Sequence, residues 1–531
     1  IMGFREENIH LSQNPKAAVT LSRKIPFDVV LCDFNFGKQI NGKQVLEELI
    51  HYRSLSDSCA FIIITGDSSI QTFNSLFEIT IDDYILKPFN YNDMKKRIVR
   101  CIEKRETLEK IYEFKRLDLY SDALALCDKM IGTKSQYSNF LKREKGRLLR
   151  LLKLWGKAKR FYTDLYFSEP ADWVVIGLVN ALKNNGELDK ARALVESILK
   201  ESPNHIDAKK EYSGIDIAKG DIEASIGHLV DINKITRENS ERNLIISNLF
   251  LYVDDFYQAK LYYEKFRKIN KDTYRDKHWM DVNYLRRTLM YLSYDDSDAE
   301  LERCQIIFNQ LYHTKGLSSL CLVNVDILMS NLLFIKGKYK EGGALLKQSL
   351  QRLCKSEDIQ FYDLLYVYWL LVYLSHDSTY QDISGLMEQA FIDIIKKKSS
   401  KYYSELLTDS LELLHKKSHQ YYVNKQQILT KIMTTTKHVE KIHLIGNFIT
   451  LAKKYPTLLS LRIEILKLLK DTWSQGWGKH QIKQILEESN NIIRIFSSDE
   501  ELQKIDYEMI YTHAKKGLGD HSGRAAPRTN V

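Results

Sequence analysis

Two different patterns of apolar and polar residues divide the chain near residue 105. Before that point, short unbroken apolar runs alternate with stretches that have helical spacing. The runs FDVVLC (Phe27–Cys32), AFIIIT (Ala60–Thr65) and, more weakly, DDYILK (Asp82–Lys87) predict strands that are buried on both faces. Helical segments between such runs indicate βαβ units, so residues 1–105 are predicted to form an α/β domain around a parallel sheet.

The stretches between and after these runs predict the helices of that domain. QVLEELIHYR (Gln44–Arg53) and SIQTFNSLFE (Ser69–Glu78) repeat apolar residues at intervals of three or four, as an amphipathic helix does. After Pro88 a longer stretch predicts a helix that begins near a capping Asn90 or Asn92. We expect this last helix to continue as a connector into the rest of the chain.

From residue 106 onward the strand pattern is absent and an internal repeat takes its place. The segments NNGELDKARALV, AKGDIEASIGHL and YVDDFYQAKLYY place Gly186, Gly220 and Asp254 in equivalent positions. Their spacing of about 34 residues is the period of the tetratricopeptide (TPR) repeat, in which each unit is a helix–turn–helix. The helix after each turn has a small residue where two helices approach closely. These small residues are Ala191, Ser225 and Ala259.

Weaker copies of the repeat extend the helical prediction in both directions. They occur at Tyr120–Cys127 and at Gly337–Leu346, where Gly342 takes the position of the small residue. We therefore predict TPR repeats over residues 106–270 and further TPR-like helical hairpins over residues 271–515. Residues 516–531 have no periodicity and contain Gly, Ser and Pro, which predicts a disordered tail or a non-native addition.

The composition is that of a folded protein rich in helices. Of 531 residues, 44% are hydrophobic and 28% are charged, which excludes wholesale disorder, and 7 Pro and 23 Gly are few helix breakers for this length. No apolar run approaches the roughly 20 residues that cross a bilayer. Seven cysteines without a CxxC pair indicate neither a disulfide framework nor a zinc site. These features predict a cytoplasmic protein without a membrane partner.

Binding of a nucleic acid is an alternative function, but the net charge of the chain does not favour it. The net charge of +9 is modest for this length, and its densest basic stretch is Lys142–Arg160. A solvated helix face explains that stretch more simply than RNA or nucleotide binding through Arg143, Arg147 and Arg150, which we keep as the second hypothesis.

Enzymatic activity and a histidine metal site are also not indicated. No GxxxxGK[ST], HExxH or GxSxG motif occurs, so we predict that the chain is not an enzyme. His10, His51 and His205 lack the spacing of metal ligands.

Candidate chemistry lies where each predicted strand of residues 1–105 ends. Asp33 follows the first apolar run, Thr65 ends the second, and Lys87 ends the third. Open α/β sheets place their sites at the carboxyl ends of parallel strands. A carboxylate can act as a nucleophile and form an acyl phosphate, and a lysine and a hydroxyl can neutralise charge on phosphoryl oxygens.

In this order and spacing the three residues resemble those of the receiver domain of two-component response regulators. The resemblance implies a flavodoxin-like fold with strand order 2-1-3-4-5. It also implies that Asp33 is the phosphoacceptor, Thr65 the switch hydroxyl, Lys87 the phosphate-pairing lysine and Tyr84 the switch aromatic. The loop DFNFGKQING fits the family's D-x-N-x-G pattern, and the Lys87–Pro88 bond corresponds to one that is usually cis in receivers.

The resemblance further implies a magnesium ion held by Asp33, by the backbone carbonyl of Asn35 and by an acidic pair at the end of the family's first strand. We do not find that pair before Asp33, because Glu6 and Glu7 precede the segment ENIHLS, which we expect to be the second strand. We therefore expect that the first strand is missing and that the sequence is truncated at its N-terminus.

A receiver followed by repeats resembles the receiver–TPR response regulators of Gram-negative bacteria, including the Vie-type auxiliary regulators of Vibrio. The resemblance implies a histidine kinase or phosphotransfer protein as phosphodonor and a protein partner in the TPR groove. It also implies inhibition or scaffolding of another phosphorelay. A homodimer is left open. The alternative is an RNA- or nucleotide-binding helical-repeat protein with a degenerate, non-phosphorylated receiver.

Overall fold

The computed structural model describes most of the chain. The described residues are 4–37, 40–67, 81–133, 136–236, 239–375, 383, 385–386, 388–393, 404–435, 441–469 and 479–520. The predicted helix Ser69–Glu78 and residues 521–531 of the predicted tail lie outside them.

Among the described residues, three parallel strands form the sheet of the N-terminal domain. They are β1 (Val29–Asp33), β2 (Ala60–Thr65) and β3 (Asp83–Leu86), in the order β1-β2-β3. In the register, Asp33 lies opposite Ile64, and Thr65 lies opposite Leu86. Each strand falls on one of the three apolar runs, so the prediction of a parallel α/β domain is confirmed.

Helices cover this sheet. The first two are α1 (Pro15–Ser22) and α2 (Gly42–His51), and a longer helix, α3 (Tyr91–Arg116), follows β3. The Asn90 side chain accepts a hydrogen bond from the Asp93 amide, so Asn90 rather than Asn92 is the cap of α3.

The segment ENIHLS is not a strand, which corrects the sequence prediction. Its first residues form the short 3-10 turn Glu6–Asn8, and Leu11 is 92% exposed. Two apolar residues in alternation make a strand only where a neighbouring strand can accept and donate hydrogen bonds. Among the described residues, β1 has β2 as its only hydrogen-bonded neighbour.

The connector helix α3 belongs to two hydrophobic cores. Ile98 and Cys101 are buried with residues of β2 and β3. Further along the same helix, Leu108 and Ile111 are buried with residues of the next helices. The predicted continuation of the last helix into the repeats is therefore confirmed.

Helical hairpins follow from α3 onward. Their helices are α4 (Tyr120–Gly132), α5 (Ser138–Leu151), α6 (Trp155–Ser168), α7 (Asp172–Asn184), α8 (Leu188–Glu201), α9 (Ile206–Lys219), α10 (Ile222–Ile235), α11 (Ser240–Tyr252) and α12 (Phe256–Ile269). A residue with positive φ ends the first helix of each hairpin, at intervals of about 34 residues. These residues are Asp118, Lys153, Gly186, Gly220 and Asp254.

The predicted small positions lie at close helix contacts. Ala191, Ser225 and Ala259 are fully buried, and the Ser225 hydroxyl hydrogen-bonds Ser213 across a hairpin at 2.7 Å. A Cβ atom on Gly342 would lie 3.0 Å from the Ser330 carbonyl oxygen. The helical-repeat architecture follows from these contacts, because a larger side chain would separate the two helices.

The remaining described elements are also helices. They are α13 (His278–Leu292), α14 (Asp298–His313), α15 (Ser319–Ile335), α16 (Tyr339–Leu353), α17 (Phe361–Tyr373), α18 (Glu405–Thr435), α19 (Lys441–Lys454), α20 (Leu459–Leu469), α21 (Lys479–Phe496), α22 (Asp499–Lys504) and α23 (Tyr507–Asp520). The last helix includes residues 516–520, which the sequence placed in the tail. Within the described part of the chain, no helix combines the length and apolar character that a membrane span requires.

The chain divides into two compact units. One contains Ile1–Val253, Leu261–Lys277 and Lys398–Ser410. The other contains Asp254–Lys260, His278–Lys397 and Leu411–Val531. The N-terminal α/β domain and the first hairpins therefore belong to the same unit, together with a short segment from much later in the chain.

Candidate functional site

The structure brings Asp33 and Lys87 together at the edge of the sheet. The Lys87 ammonium lies 2.5 Å from Asp33 Oδ2, and the Asn35 backbone amide donates to Asp33 Oδ1 at 3.2 Å. Both side chains are partly exposed, 46% for Lys87 and 37% for Asp33. The carboxylate is thus fixed by two donors and remains open to an incoming group.

Thr65 lies at the end of β2, the strand between those that lead to Asp33 and Lys87. Its backbone carbonyl accepts a hydrogen bond from the Lys87 amide at 2.8 Å, and its buried hydroxyl accepts one from the Asp67 amide at 3.0 Å. Asp33 and Thr65 are therefore neighbours in the sheet register, although they share no direct hydrogen bond in this structure.

Tyr84 and the Lys87–Pro88 bond lie on β3 and just beyond it. Tyr84 is half-buried and packs against the core formed by β1, β2 and α2. The Lys87–Pro88 peptide bond is cis. Asp33, Thr65 and Lys87 thus lie at the carboxyl end of the sheet, whereas Tyr84 pairs with Ile63 further back along β3 and packs against the core.

The loop after Asp33 returns close to the strand end before α2 begins. The Gly42 amide donates to the Phe34 carbonyl at 2.8 Å, and a Cβ atom on Gly42 would lie 2.6 Å from the Asp33 carbonyl oxygen. Any larger residue would push the loop away from the strand. The glycine therefore couples the position of Asp33 to the start of α2.

The described residues do not form a complete magnesium site. Magnesium prefers oxygen ligands, usually with one or two carboxylates. The Asp33 carboxylate and the Asn35 carbonyl are available, but Lys87 already holds one Asp33 oxygen. Glu6 and Glu7 lie exposed on the N-terminal turn, and no cluster of three metal-ligating side chains among the described residues contains Asp33.

Comparison with known proteins agrees with this geometry over the N-terminal part of the chain. A family model described as the response regulator receiver domain matches residues 4–99. The N-terminal domain is receiver-like. No curated protein matches the chain.

One solved structure similar to this chain is a tetratricopeptide repeat protein from Parabacteroides merdae. Its TM-score is 0.30 with 14% sequence identity, over 51% of this chain and 97% of that one.

The receiver-like domain contacts the repeats at a second place, which the sequence did not predict. Helix α2 packs on the segment at the end of α12. The Gln44 amide group donates to the Ile269 carbonyl at 2.6 Å, and Arg275 pairs with Glu47 at 2.6 Å. The rings of His51 and Tyr274 stack with centroids 3.9 Å apart. Helix α2, which directly follows the loop after Asp33, thus contacts residues 269–275 at and after the end of α12.

Ion pairs fasten the connector helix to the opposite end of the sheet. Arg105 makes two hydrogen bonds to the carboxylate of Asp82, at 2.7 and 2.8 Å, and the Asp82 side chain is 3% exposed. Arg116 pairs with Asp57 at 2.8 Å. These pairs tie α3 to the residue before β3 and to the loop before β2.

A segment from much later in the chain occupies the face formed by the first helices of successive hairpins. Residues 404–410 contact α5, α7, α9 and α11. Glu405 accepts hydrogen bonds from Asn180 at 2.9 Å and from Lys183 and Arg150 at 3.4 Å each. The pKa of Glu405 is lowered to about 2, since the charges of Lys183 and Arg150 outweigh the opposing effect of burial, which is the largest single influence. We name residues 404–410 the docked segment, and the face formed by α5, α7, α9 and α11 the repeat face.

Further contacts of the docked segment extend along the same helices. The Ser404 amide donates to Glu241 at 3.1 Å, and the Asn248 side chain donates to the Ser410 hydroxyl at 3.1 Å. Leu406 also lies near Gly214 on α9, where a Cβ atom would be in ordinary contact with Leu406 Cδ2 at 3.4 Å and only 2.9 Å from Lys183 Nζ. The docked segment therefore covers part of the face formed by the first helices, where a TPR groove would take a partner protein.

The basic stretch Lys142–Arg160 is largely neutralised within the chain. Lys142 pairs with Glu169, Lys145 with Asp128, Arg147 with Glu144, Arg150 with Glu405 and Lys159 with Glu187. Arg143 lies over the ring of Trp173 at 5.3 Å. These contacts account for the basic residues as structural pairs and do not favour the RNA-binding hypothesis.

Proposed function

We propose that the chain is a response regulator whose Asp33 accepts a phosphoryl group from a histidine kinase or phosphotransfer protein in the cytoplasm. The observation that carries this proposal is the pairing of Asp33 with Lys87 at the open end of the sheet, with Thr65 on the strand between them. The match of residues 4–99 to the receiver domain supports it independently.

The chemistry follows from these side chains. An Asp33 oxygen attacks the phosphorus of a phosphohistidine, the P–N bond breaks, and its electron pair stays on the imidazole nitrogen. The product is an acyl phosphate on Asp33. Lys87 moves from the carboxylate to the phosphoryl oxygens, and the Thr65 hydroxyl turns to donate to one of them. Magnesium, where present, would neutralise further phosphoryl charge next to Asp33 and Asn35.

We infer that this local charge change biases two contacts between the receiver-like domain and the repeats. Movement of Lys87 and Thr65 would shift β3 and so alter the ion pair between Asp82 and Arg105 of α3. Movement of Asp33 would shift the loop that leads to Gly42 and so alter the position of α2. Each contact has two arrangements that phosphorylation can favour differently. We expect phosphorylation to change two contacts. One is the face around Asp82–Arg105, and the other is the contact of α2 with Tyr274.

The output is a protein–protein interaction through the first helices of the hairpins. Since the docked segment covers that surface through Glu405, a partner must displace it or bind elsewhere. A partner helix with an acidic residue facing Arg150 and Lys183 could form the same ion pairs as Glu405 and so compete with the docked segment for this surface. Release of the docked segment on phosphorylation would then expose the surface, and the partner could be a component of another phosphorelay that is inhibited or scaffolded.

Phosphorylation of Asp33 can be tested with acetyl phosphate as a small-molecule donor. Wild-type protein is incubated with radiolabelled acetyl phosphate, with and without magnesium, and the acid-stable and base-labile label is counted. We expect label on wild type and none on the D33N variant. The D28N variant, which changes a carboxylate at the opposite end of β1, should label like wild type.

The result that contradicts the proposal is equal labelling of wild type and D33N. Equal labelling would mean that the phosphoryl group goes elsewhere, whatever its dependence on magnesium.

A further inference from the structure

A cluster of two histidines and one glutamate lies outside the receiver-like domain and the repeat face. His415 and His419 are one turn apart on α18, so their side chains share one face of that helix. Glu388 comes from the helical residues 388–393. The Glu388 Oε1 atom lies 3.2 Å from His415 Nε2 and 2.8 Å from His419 Nε2, and the two nitrogens are 3.3 Å apart.

When Glu388 is ionised, hydrogen bonding within this triangle requires both histidine nitrogens to donate to the same carboxylate oxygen. Each contact with the carboxylate needs a proton on the histidine nitrogen. If both nitrogens carry that proton, two donors face each other across 3.3 Å. If one nitrogen lacks it, its contact with the carboxylate brings two lone pairs together. Three converging lone pairs are satisfied together by a cation between them.

The separations fit a tetrahedral transition metal. Zinc binds histidine nitrogen and carboxylate oxygen at about 2.0–2.2 Å, which sets tetrahedral ligand atoms about 3.3–3.6 Å apart. Two of the three separations, 3.2 and 3.3 Å, are close to the lower end of that range, and the third, 2.8 Å, is shorter, so the Glu388 carboxylate must move slightly away from His419 to bind the ion. Three protein ligands leave one position for water, and the partly exposed Glu388 and His419 side chains give solvent access to it.

Aromatic rings hold the ligands in place. His415 stacks on Phe391 with ring centroids 3.9 Å apart and an angle of 2° between the planes. Phe391 and Glu388 are three residues apart in the helical residues 388–393, so both face α18.

We propose that Glu388, His415 and His419 form a binding site for a divalent transition-metal ion, with zinc as the ion that best fits the ligand set and spacing. A bound ion fastens the residues around Glu388 to α18 and stabilises the folded chain. The site is independent of Asp33 and of the proposed function.

The test uses full-length protein without an affinity tag and zinc chloride as the probe. Isothermal titration calorimetry should give one zinc ion per chain, and the melting temperature should rise with zinc concentration. The E388Q and H419Q variants should bind zinc at least about 100-fold more weakly, because outer-shell partners alone are worth up to that factor. H313Q, a change of an exposed histidine on α14, should bind like wild type.

The absorption spectrum of bound cobalt distinguishes metal binding at this site from metal binding at the exposed Cys354 thiol. Cobalt bound here should show visible d–d bands without a thiolate charge-transfer band. Circular dichroism of the metal-free variants checks that they fold, and His415 is left unchanged because its ring is packed on Phe391. Zinc binding that is absent in wild type, equal in all variants or accompanied by a thiolate band overturns the proposal.

Discussion

Replacing Glu405 with glutamine should release the docked segment from the repeat face. The substitution keeps the size of the side chain and removes the charge that Lys183 and Arg150 face. Lys183 keeps its ion pair with Glu211 at 2.9 Å, so the variant does not leave a buried lysine without a partner.

The size of the effect follows from the burial of the pair. Breaking a fully buried ion pair costs about 3–5 kcal/mol, whereas an exposed pair is worth about 0–1 kcal/mol. The Lys183 side chain is 8% exposed and that of Glu405 is 32% exposed, so the pair is intermediate. We expect a loss of about 2 kcal/mol, which is roughly a 30-fold change in the opening equilibrium of the docked segment.

Hydrogen exchange measured by mass spectrometry reads this equilibrium directly. Peptides that cover residues 404–410 should exchange about 30-fold faster in E405Q, while peptides from β1 to β3 should not change. E341Q is the matched control, because Glu341 pairs with Lys338 at 3.8 Å on an exposed surface. Unchanged exchange of residues 404–410 in E405Q would refute the assignment of Glu405 as the anchor.

Two further predictions concern stability. Replacing Arg105 with alanine leaves the buried Asp82 carboxylate without its ion-pair partner, so urea unfolding should show a loss of about 3 kcal/mol. R116A, which breaks the more exposed pair with Asp57, should lose much less stability than R105A. Burial raises the pKa of Asp216 to about 6, above its ordinary value, so this carboxyl favours folding when protonated and that contribution is lost as the pH rises from about 4 through 6. D216N should therefore be more stable than wild type by about 1–3 kcal/mol at pH 7 and nearly equal to it at pH 4, and a difference independent of pH would contradict this reasoning.

The strands and the connector helix could be predicted from the sequence because their signals are local. A buried parallel strand reads as an apolar run, so β1, β2 and β3 lie on the three predicted runs. The cap at Asn90 and the long helical pattern after it predicted α3. The prediction of a strand at ENIHLS was wrong. A strand also needs a neighbouring strand to hydrogen-bond with, and the pattern of six residues does not show whether such a neighbour exists.

The contacts between distant parts of the chain could not be predicted. The stacking of His51 on Tyr274 and the pairing of Arg150 with Glu405 join residues separated by more than 200 positions. Nothing in the local pattern of either partner indicates the other. The HxxxH spacing of His415 and His419 was a visible signal for a metal site, but its third member, Glu388, emerges only from the fold.

We propose that phosphorylation of Asp33 changes how the docked segment covers the repeat face. Hydrogen exchange of residues 404–410 and of α2 should be compared before and after treatment with acetyl phosphate, in wild type and in D33N. We expect faster exchange in treated wild type and no response in D33N. A wild-type protein that carries the label on Asp33 but keeps the same exchange in both regions would contradict the claim.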